Sequence, residues 1–387
     1  MIGSPIESPT LSWTENGEAR SARWRSENGT QPPKRVVVAD DTLTADAAYR
    51  LACEGTAILW RGDFQNARQL LQALARRVDR KSHKRAAPPA SSLDSFNLHR
   101  LAQSQRARTL AMLLLPFEYD YSIPLRRAPD VRQACGEAYE KPDATSGPFV
   151  ASLRELLGLI GAHEWRKKGV DIPALGERIH PHYGVFSPVR GEYVDLVAQT
   201  PLPAPCKTAV DVGTGTGVLA AVLARRGIAQ VIATDQDARA LVCARENMER
   251  LGLRKQVDVV EANLFPAGRA SLIVCNPPWI PARPSSPLEH AVYDPDSRML
   301  RGFLGGLAAH LEPGGEGWLI LSDLAEHLGL RTRTELLAII ETAGLIILER
   351  IDTRPRHSKV LDDADPLHAA RAAEITSLWR LAVAANR

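Results

Sequence analysis

Two patterns of hydrophobic positions divide the chain. Before about residue 165, apolar residues recur mostly at helical spacing, over 44–60, 66–78, 96–115, 123–141 and 149–160. Pro116 is expected to end the third of these helices. Val36–Val38 is a short β-branched run, and residues 1–34 are rich in Ser, Gly, Pro and Glu. The pattern predicts a flexible tail over 1–34 and a mostly helical domain over 35–165.

From about residue 166 onwards, short β-branched runs alternate with helical segments. The predicted strands are 208–212, 230–234, 257–260, 272–275, 318–321 and 345–348, and the predicted helices include 219–226, 238–251 and 334–342. Such alternation is typical of parallel β-α-β units with right-handed crossovers. Residues 377–383 are predicted to form a final antiparallel strand. The sequence therefore predicts an α/β domain over 166–387, preceded by the mostly helical N-terminal domain.

Composition excludes several classes of protein. Hydrophobic residues make up 44% of the 387 residues and charged residues 24%, which is typical of globular proteins. Five cysteines without a short Cys-x-x-Cys spacing argue against a disulfide framework and a structural zinc site. No apolar run approaches the length of a membrane span, and we see no signal-peptide pattern. We therefore expect a cytoplasmic protein without a metal site.

Positive charge is clustered in one part of the chain, although the net charge is only +3. Residues 61–108 contain eleven Lys or Arg, among them Arg76, Arg77, Arg80, Lys81, Lys84 and Arg85. Such a cluster either follows a phosphate backbone or forms a solvated helix face with a charged loop. His180 and His182 also form a conspicuous pair, but no neighbouring residues complete a metal site.

The most informative local motif is DVGTGTG at Asp211–Gly217, between a predicted strand and a predicted helix. Glycines in this position allow a sharp turn and the close approach of a ligand to the backbone. The spacing departs from Gly-x-Gly-x-x-Gly, because Val218 stands at the sixth position counted from Gly213. Asp211 suits a cationic ligand better than a diphosphate. The motif therefore indicates a nucleoside-type cofactor.

Two polar residues follow the next two predicted strands. Asp235 ends the second strand, 20 residues after Gly215. A carboxylate in this position can accept hydrogen bonds from both hydroxyl groups of a ribose. Asn263 follows the third strand, and its amide can hydrogen-bond to an adenine edge. Both residues strengthen the prediction of a nucleoside-type cofactor.

The fourth predicted strand leads directly into Asn276-Pro277-Pro278-Trp279. Because ligands bind beyond the carboxyl ends of parallel strands, this motif is expected beside the glycine loop. The prolines lack N–H donors, so the Asn276 side-chain oxygen and the Pro277 carbonyl remain as acceptors, with Trp279 as a flat aromatic surface. This set fits a planar –NH2 group. Holding both of its N–H bonds would direct the nitrogen lone pair at an electrophile.

Together, the glycine loop and the Asn276–Trp279 motif resemble those of class I S-adenosylmethionine-dependent methyltransferases, over roughly residues 179–383. More narrowly, the chain is similar to the small-domain branch, which includes glutamine N5-methyltransferases of release factors and N-methyltransferases of nucleobase amino groups. The resemblance implies a Rossmann-like seven-stranded sheet and S-adenosylmethionine as the cofactor. It also implies methyl transfer to a planar nitrogen of a macromolecule, either a protein such as a release factor or RNA or DNA.

The resemblance also implies roles for individual residues. The cofactor-binding residues would be Asp211, Gly213, Thr214, Gly215, Gly217, Asp235, Gln236, Asn263, Leu264 and Asn276. The catalytic residues would be Asn276, Pro277, Pro278 and Trp279. Asp211 and the first two glycines would line the methionine moiety, Asp235 would hold the ribose, and Asn263 with Leu264 would face the adenine. Residues 183–188 correspond to a loop that closes over the cofactor, and Trp279 stands where relatives usually have Tyr or Phe.

Two alternatives remain at this point. One is a nicotinamide-dependent oxidoreductase with a Rossmann fold. The other is a protein that binds S-adenosylmethionine without catalysing a reaction. The intact Asn276–Pro278 motif argues against the second alternative, because a non-catalytic domain has no use for paired amine acceptors. Binding of S-adenosylhomocysteine or of NAD would distinguish a methyltransferase from an oxidoreductase.

Overall fold

The computed structural model describes residues 9–82, 89–139, 141–142, 144–284, 289, 291–356 and 358–384. The chain divides into two compact units, one comprising 1–89 and 97–164 and the other 90–96 and 165–387. Among the described residues, no helix combines the length and the apolar character needed to cross a bilayer.

A six-stranded mixed sheet organises the first unit. Its strands are β1 (Thr10–Glu15), β2 (Glu18–Trp24), β3 (Arg35–Ala39), β4 (Thr56–Trp60), β5 (Leu113–Phe117) and β6 (Phe149–Ser152). Across the sheet the order is β1-β2-β6-β5-β4-β3, with β3, β4 and β5 parallel. The helices of this half of the chain are α1 (Ala45–Cys53), α2 (Phe64–Ser82), α3 (Ser92–Leu110), α4 (Arg132–Ala138) and α5 (Leu153–Lys168).

The flexible tail predicted for residues 1–34 is wrong for residues 10–24, which form an antiparallel hairpin. Asn16 and Gly17 have φ angles of 54° and 82°, and positive values at both positions are what a type I′ hairpin turn requires. Leu11 and Trp24 are buried in the core of this unit. Because residues 1–34 are mostly polar, the Asn16-Gly17 pair was not recognised as a hairpin turn. Residues 1–8 lie outside the described residues.

The mostly helical domain predicted over 35–165 does contain helices, but the prediction did not include the sheet that these helices accompany. The helix predicted over 44–60 ends at Cys53, and after a turn at Gly55, strand β4 begins at Thr56 and is buried throughout. The helix predicted over 96–115 ends at Leu110, and Pro116 lies inside strand β5. A strand buried on both faces is a continuous apolar run, which periodicity does not distinguish from a buried helix.

The second unit contains the predicted seven-stranded sheet. Its strands are β9 (Thr208–Val212), β10 (Gln230–Asp235), β11 (Val257–Glu261), β12 (Ala270–Cys275), β13 (Leu311–Ser322), β14 (Leu345–Thr353) and β15 (Thr376–Val383), preceded by a hairpin of β7 (Val170–Ile172) and β8 (Glu177–Ile179). The helices are α6 (Glu192–Gln199), α7 (Val218–Arg225), α8 (Ala238–Arg250), α9 (Arg298–His310), α10 (Leu324–His327), α11 (Arg333–Thr342) and α12 (His368–Ala373). The order is β11-β10-β9-β12-β13-β15-β14, with β15 antiparallel to both neighbours as predicted.

Strand register brings the predicted motifs to one edge of this sheet. Val212 ends β9 and pairs with Thr234 of β10 on one side and with Cys275 of β12 on the other. The glycine loop, Asp235 and Asn276 therefore leave the sheet at the same level. The strand order reverses between β9 and β12, and open α/β sheets bind their ligands at such a switch point.

Candidate functional site

The glycine loop turns sharply from β9 into α7. Gly213 N and Thr214 N both donate to the same carbonyl of β10, at 2.9 and 2.8 Å. Gly217 has a φ of +82° and caps α7, and a Cβ added there would lie 2.8 Å from Met248 Cε. Gly215 has a φ of +55°, and no atom lies within 4 Å of the position that its Cβ would take. The loop is therefore tightly packed at its end and open to a ligand at Gly215.

Asp211 lies beneath this loop with only 1% of its surface exposed. Its Oδ2 accepts hydrogen bonds from Thr214 Oγ1 at 2.6 Å and from Ala220 N at 3.0 Å. Burial raises the pKa of Asp211 to about 6, although the two hydrogen bonds oppose the shift. The carboxyl group therefore shapes the loop and carries a charge that depends on pH close to neutrality.

Asp235 ends β10 and is hydrogen-bonded to the glycine loop. Its Oδ2 accepts from Gly215 N and its Oδ1 from Asp237 N, both at 3.0 Å. Burial raises the pKa of Asp235 as well. Since each carboxylate oxygen has a second lone pair, the group can still accept two hydrogen bonds from a vicinal diol. The next residue, Gln236, is exposed at the same edge.

Asn263 and Leu264 form the turn after β11. Asn263 is exposed, whereas Leu264 is half-buried and has a φ of +71°. The Leu264 carbonyl accepts a hydrogen bond from Thr234 Oγ1 at 2.6 Å, which fixes the turn against β10. The pair presents a polar amide beside an apolar side chain. These groups suit the edge and the face of a purine ring.

Trp279 is hydrogen-bonded back to the first residue of its own motif. The indole Nε1 donates to Asn276 Oδ1 at 2.9 Å, and the ring packs against the apolar clusters on both faces of the sheet. Pro277 is buried and Pro278 half-buried. The sequence did not predict the bond between Trp279 and Asn276. Because an amide oxygen has two lone pairs, the indole leaves one of them for a target N–H.

The sequence analysis also did not predict a group of side chains that surrounds Trp279. The Arg190 guanidinium carbon lies 5.2 Å from the centroid of the Trp279 ring. Arg190 Nη2 lies 3.2 and 3.1 Å from the two carboxylate oxygens of Glu374, and Ser322 Oγ donates to Glu374 Oε1 at 2.7 Å. Arg190 and Glu374 are separated by 184 positions in the sequence, so no local pattern indicates that they pair.

Asn247 in α8 is another missed residue, and only 1% of its surface is exposed. Its Nδ2 donates to Thr216 O at 3.0 Å, and its Oδ1 accepts from His180 N at 2.9 Å, so it joins the glycine loop to the segment before residues 183–188. At the start of residues 183–188, the Tyr183 ring lies 5.7 Å from the Arg239 guanidinium carbon. The sequence could have indicated this role, because Asn247 is a polar residue on the apolar face of a helix, and buried polar groups need hydrogen-bond partners.

The two histidines near this segment contact protein groups separately. His180 Nδ1 lies 2.6 Å from Arg166 O, and His182 Nε2 lies 2.8 Å from Glu246 Oε2. Within the ranges that the structure describes, no group of three His, Cys, Asp or Glu residues is placed to hold a metal ion.

Ion pairs partly neutralise the basic cluster at residues 61–108. Three of its arginines pair within the first unit: Arg61 with Glu15 at 2.8 Å, Arg77 with Asp46 at 2.7 Å and Arg106 with Asp79 at 2.8 Å. Lys84, Arg85 and the side chain of Lys81 lie outside the described part of the chain. These pairs reduce the positive charge available to a phosphate backbone.

Comparison with known families finds a likeness over part of the second unit. Residues 177–335 match the family profile described as "Methyltransferase small domain". This segment is less than half of the chain, and it contains the glycine loop, Asp235 and the Asn276–Trp279 motif. The resemblance to S-adenosylmethionine-dependent methyltransferases is thereby confirmed.

Individual relatives match part of the chain. A release factor glutamine methyltransferase from Cereibacter sphaeroides is 33% identical over 172 residues, covering 40% of this chain and 59% of the relative. A ribosomal protein L11 methyltransferase from Pelotomaculum thermopropionicum is 36% identical over 149 residues, covering 38% of this chain and 40% of the relative. The chain thus spans less than two thirds of the length of either relative.

A solved methyltransferase from Pyrococcus furiosus is similar to part of the chain as well. It is 19% identical, covers 59% of this chain and 98% of that chain, and has a TM-score of 0.39. Because this score is low, the fold assignment rests on the strand order described above.

Proposed function

We propose that the chain transfers a methyl group from S-adenosylmethionine to a planar amide or amino nitrogen of a macromolecule. The observation that carries the proposal is the position of the glycine loop, Asp235 and Asn276–Trp279 at the switch point of one sheet. The same residues lie within the segment that matches the methyltransferase small domain family, which supports the proposal. The cofactor and the nitrogen would therefore bind beside each other.

The residues at this edge fit S-adenosylmethionine. The open backbone at Gly215 admits a closely bound ligand, and Asp235 retains acceptor capacity for a ribose diol. Asp211 and Asp235 place negative charge beside a cofactor that carries sulfonium and ammonium groups. Asn263 and Leu264 would hold the adenine. Each part of the cofactor thus has a chemically matched group on this chain.

The same edge is a poor fit for a nicotinamide dinucleotide. The diphosphate of such a cofactor binds at the glycine loop, where the carboxylate of Asp211 would repel it. Strand β15 is also inserted antiparallel between β13 and β14, whereas the dinucleotide-binding order 3-2-1-4-5-6 has no such insertion. Both observations favour the methyltransferase over the oxidoreductase.

In the proposed mechanism, the chain acts on the target nitrogen. When bound, S-adenosylmethionine supplies an electrophilic methyl group. Asn276 Oδ1 and Pro277 O would accept hydrogen bonds from the two N–H groups, and these bonds would orient the nitrogen lone pair for attack on an electrophile. These acceptors also stabilise the positive charge that develops on nitrogen during attack. Trp279 presents an aromatic face to the plane of the amide or amine.

We propose that the target nitrogen belongs to a protein. The two relatives described above are named for a release factor glutamine and for a ribosomal protein. The ion pairs in the basic cluster weaken the argument for RNA or DNA. The test is transfer of labelled methyl from S-adenosylmethionine to a peptide release factor, to ribosomal protein L11 and to protein-free rRNA and tRNA. Label in a protein supports the proposal, and label in RNA alone contradicts it.

The affinity for S-adenosylhomocysteine is expected to increase as pH rises through about 6, because Asp211 then becomes ionised and attracts the ligand's ammonium group. Asp211→Asn keeps a hydrogen-bond acceptor for the loop but removes one titrating charge, so its affinity should increase less than that of wild type, and Asp235, whose pKa burial also raises, accounts for the remainder. Titration calorimetry at about pH 5 and about pH 7 measures the difference. The same pH dependence in both proteins would contradict this role of Asp211.

The raised pKa of Asp211 also affects stability: whereas ligand affinity is expected to rise with pH, the stability contribution of Asp211 is expected to fall. The folded protein holds this proton up to about pH 6, whereas an unfolded aspartate loses it near pH 4. Ionisation therefore costs the folded state more, and the contribution of Asp211 to the free energy of unfolding falls as pH rises between these values. Above the folded-state pKa, both states are ionised and the contribution no longer changes.

A further inference from the structure

We propose that Arg190 is a positioning residue that fixes the Trp279 indole and, through it, the side-chain oxygen of Asn276. The inference rests on the proposed function for the identity of the group that this oxygen binds. The contacts that support it lie among four neighbouring segments of the second unit.

The first step is the bond between Trp279 and Asn276. The amide torsion of an asparagine side chain has a broad, roughly two-fold energy profile, so an unheld amide can rotate its oxygen away from a substrate. The indole Nε1 donates to Asn276 Oδ1 at 2.9 Å and selects one orientation. A phenylalanine ring at position 279 would have no donor for this bond. The orientation of the indole therefore determines where the free lone pair of the oxygen points.

The second step is the contact between Arg190 and the indole. The guanidinium carbon lies 5.2 Å from the ring centroid, which is within the distance of a cation–π interaction. A planar guanidinium can stack on an aromatic face, whereas a lysine ammonium is a compact point charge. Arg190 can therefore limit the rotation of the Trp279 ring, in addition to supplying a positive charge.

The third step is the anchoring of Arg190 itself. Its Nη2 contacts both oxygens of Glu374, whose side chain is 0% exposed, and its Nε lies 3.4 Å from Glu192 Oε1, on a side chain that is 3% exposed. Ser322 Oγ, at the end of β13, fixes Glu374 in turn. Buried carboxylates without a partner are strongly unfavourable, so these contacts hold the guanidinium in place.

Fluorine NMR of the full chain labelled with 5-fluorotryptophan tests the inference without a substrate. The chain contains seven tryptophans, and the resonance missing in Trp279→Phe belongs to Trp279. Arg190→Lys keeps a positive charge beside Glu374 but removes the planar group. We expect it to shift and broaden the Trp279 resonance and to leave resonances of distant tryptophans unchanged. Glu374→Gln, which weakens the anchor, should have the same effect.

Arg178→Gln is the matched control, because it removes an exposed arginine whose ion pair with Asp171 lies at the surface of the same unit. It should leave the Trp279 resonance unchanged. An unchanged Trp279 resonance in both Arg190→Lys and Glu374→Gln would overturn the inference. Glu374→Gln also keeps the test decisive if Arg190→Lys does not fold.

Kinetics separate this inference from the proposed function. Arg190→Lys should lower kcat for methyl transfer about 10-fold while the Kd for S-adenosylhomocysteine changes less than about twofold. In a Trp279→Phe background it should cause little further loss, because effects that act through one side chain are not additive. If the kcat losses of Arg190→Lys and Trp279→Phe were fully additive, the positioning role would be wrong, but the proposed function would not be affected. Failure of the wild-type chain to bind S-adenosylhomocysteine would contradict the proposed function, and the NMR result would still decide the role of Arg190.

Discussion

Asn276→Ala is expected to lower kcat for methyl transfer by about 100-fold or more. The substitution removes the side-chain oxygen that would accept one N–H bond of the target nitrogen and stabilise its developing positive charge. It also leaves the Trp279 indole N–H without its acceptor. The rate should be measured at saturating S-adenosylmethionine, so that weaker cofactor binding does not contribute to the loss.

Asn66→Ala provides a matched control for this substitution. Asn66 lies in the first unit and donates to Asp41 Oδ1 at 3.0 Å in an exposed position. The control should transfer methyl groups at close to the wild-type rate. If Asn276→Ala were as active as Asn66→Ala, the proposed role of the Asn276 oxygen would be wrong.

Asp235→Ala is expected to weaken the binding of S-adenosylhomocysteine by about 100-fold or more, since each hydrogen bond to a charged group contributes about 1.5–3 kcal/mol. The substitution removes the proposed acceptors for both ribose hydroxyls. It also releases Gly215 N and Asp237 N, which the carboxylate holds in place. Titration calorimetry with S-adenosylhomocysteine measures the loss directly.

Asp258→Ala is the control for this second substitution. Asp258 is exposed on β11 and belongs to the same sheet, but it points away from the core and is not at the carboxyl edge. Its removal changes the net charge by the same amount and should leave the affinity within about twofold of wild type. Equal affinities for Asp235→Ala and Asp258→Ala would contradict the ribose-binding role.

The sheet of the second unit could be predicted from sequence because its strands and helices alternate in short, regular segments. The predicted strand over 208–212 coincides with β9, and the predicted final strand over 377–383 lies within β15. The motifs were placed correctly for a related reason. In a parallel sheet, residues that follow successive strands lie at one edge, so Asp235 and Asn276 could be brought together without knowledge of the structure.

Contacts between distant segments could not be predicted in this way. Arg190 and Glu374 pair only because the loop before α6 and the connection between α12 and β15 are adjacent in the fold, and neither segment carries a recognisable motif. The prediction for the first unit was wrong for a different reason. Its buried strand β5 is an uninterrupted apolar run that includes Pro116, so it was interpreted as the end of a helix.

The central claim is that the edge of the second sheet binds S-adenosylmethionine, and calorimetric titration of the purified full chain tests it most directly. One titration uses S-adenosylhomocysteine and a second uses NAD under the same conditions. We predict that S-adenosylhomocysteine binds and that NAD does not, because the carboxylate of Asp211 beneath the glycine loop favours a cationic ligand and disfavours a diphosphate. Binding of NAD without binding of S-adenosylhomocysteine would contradict the account.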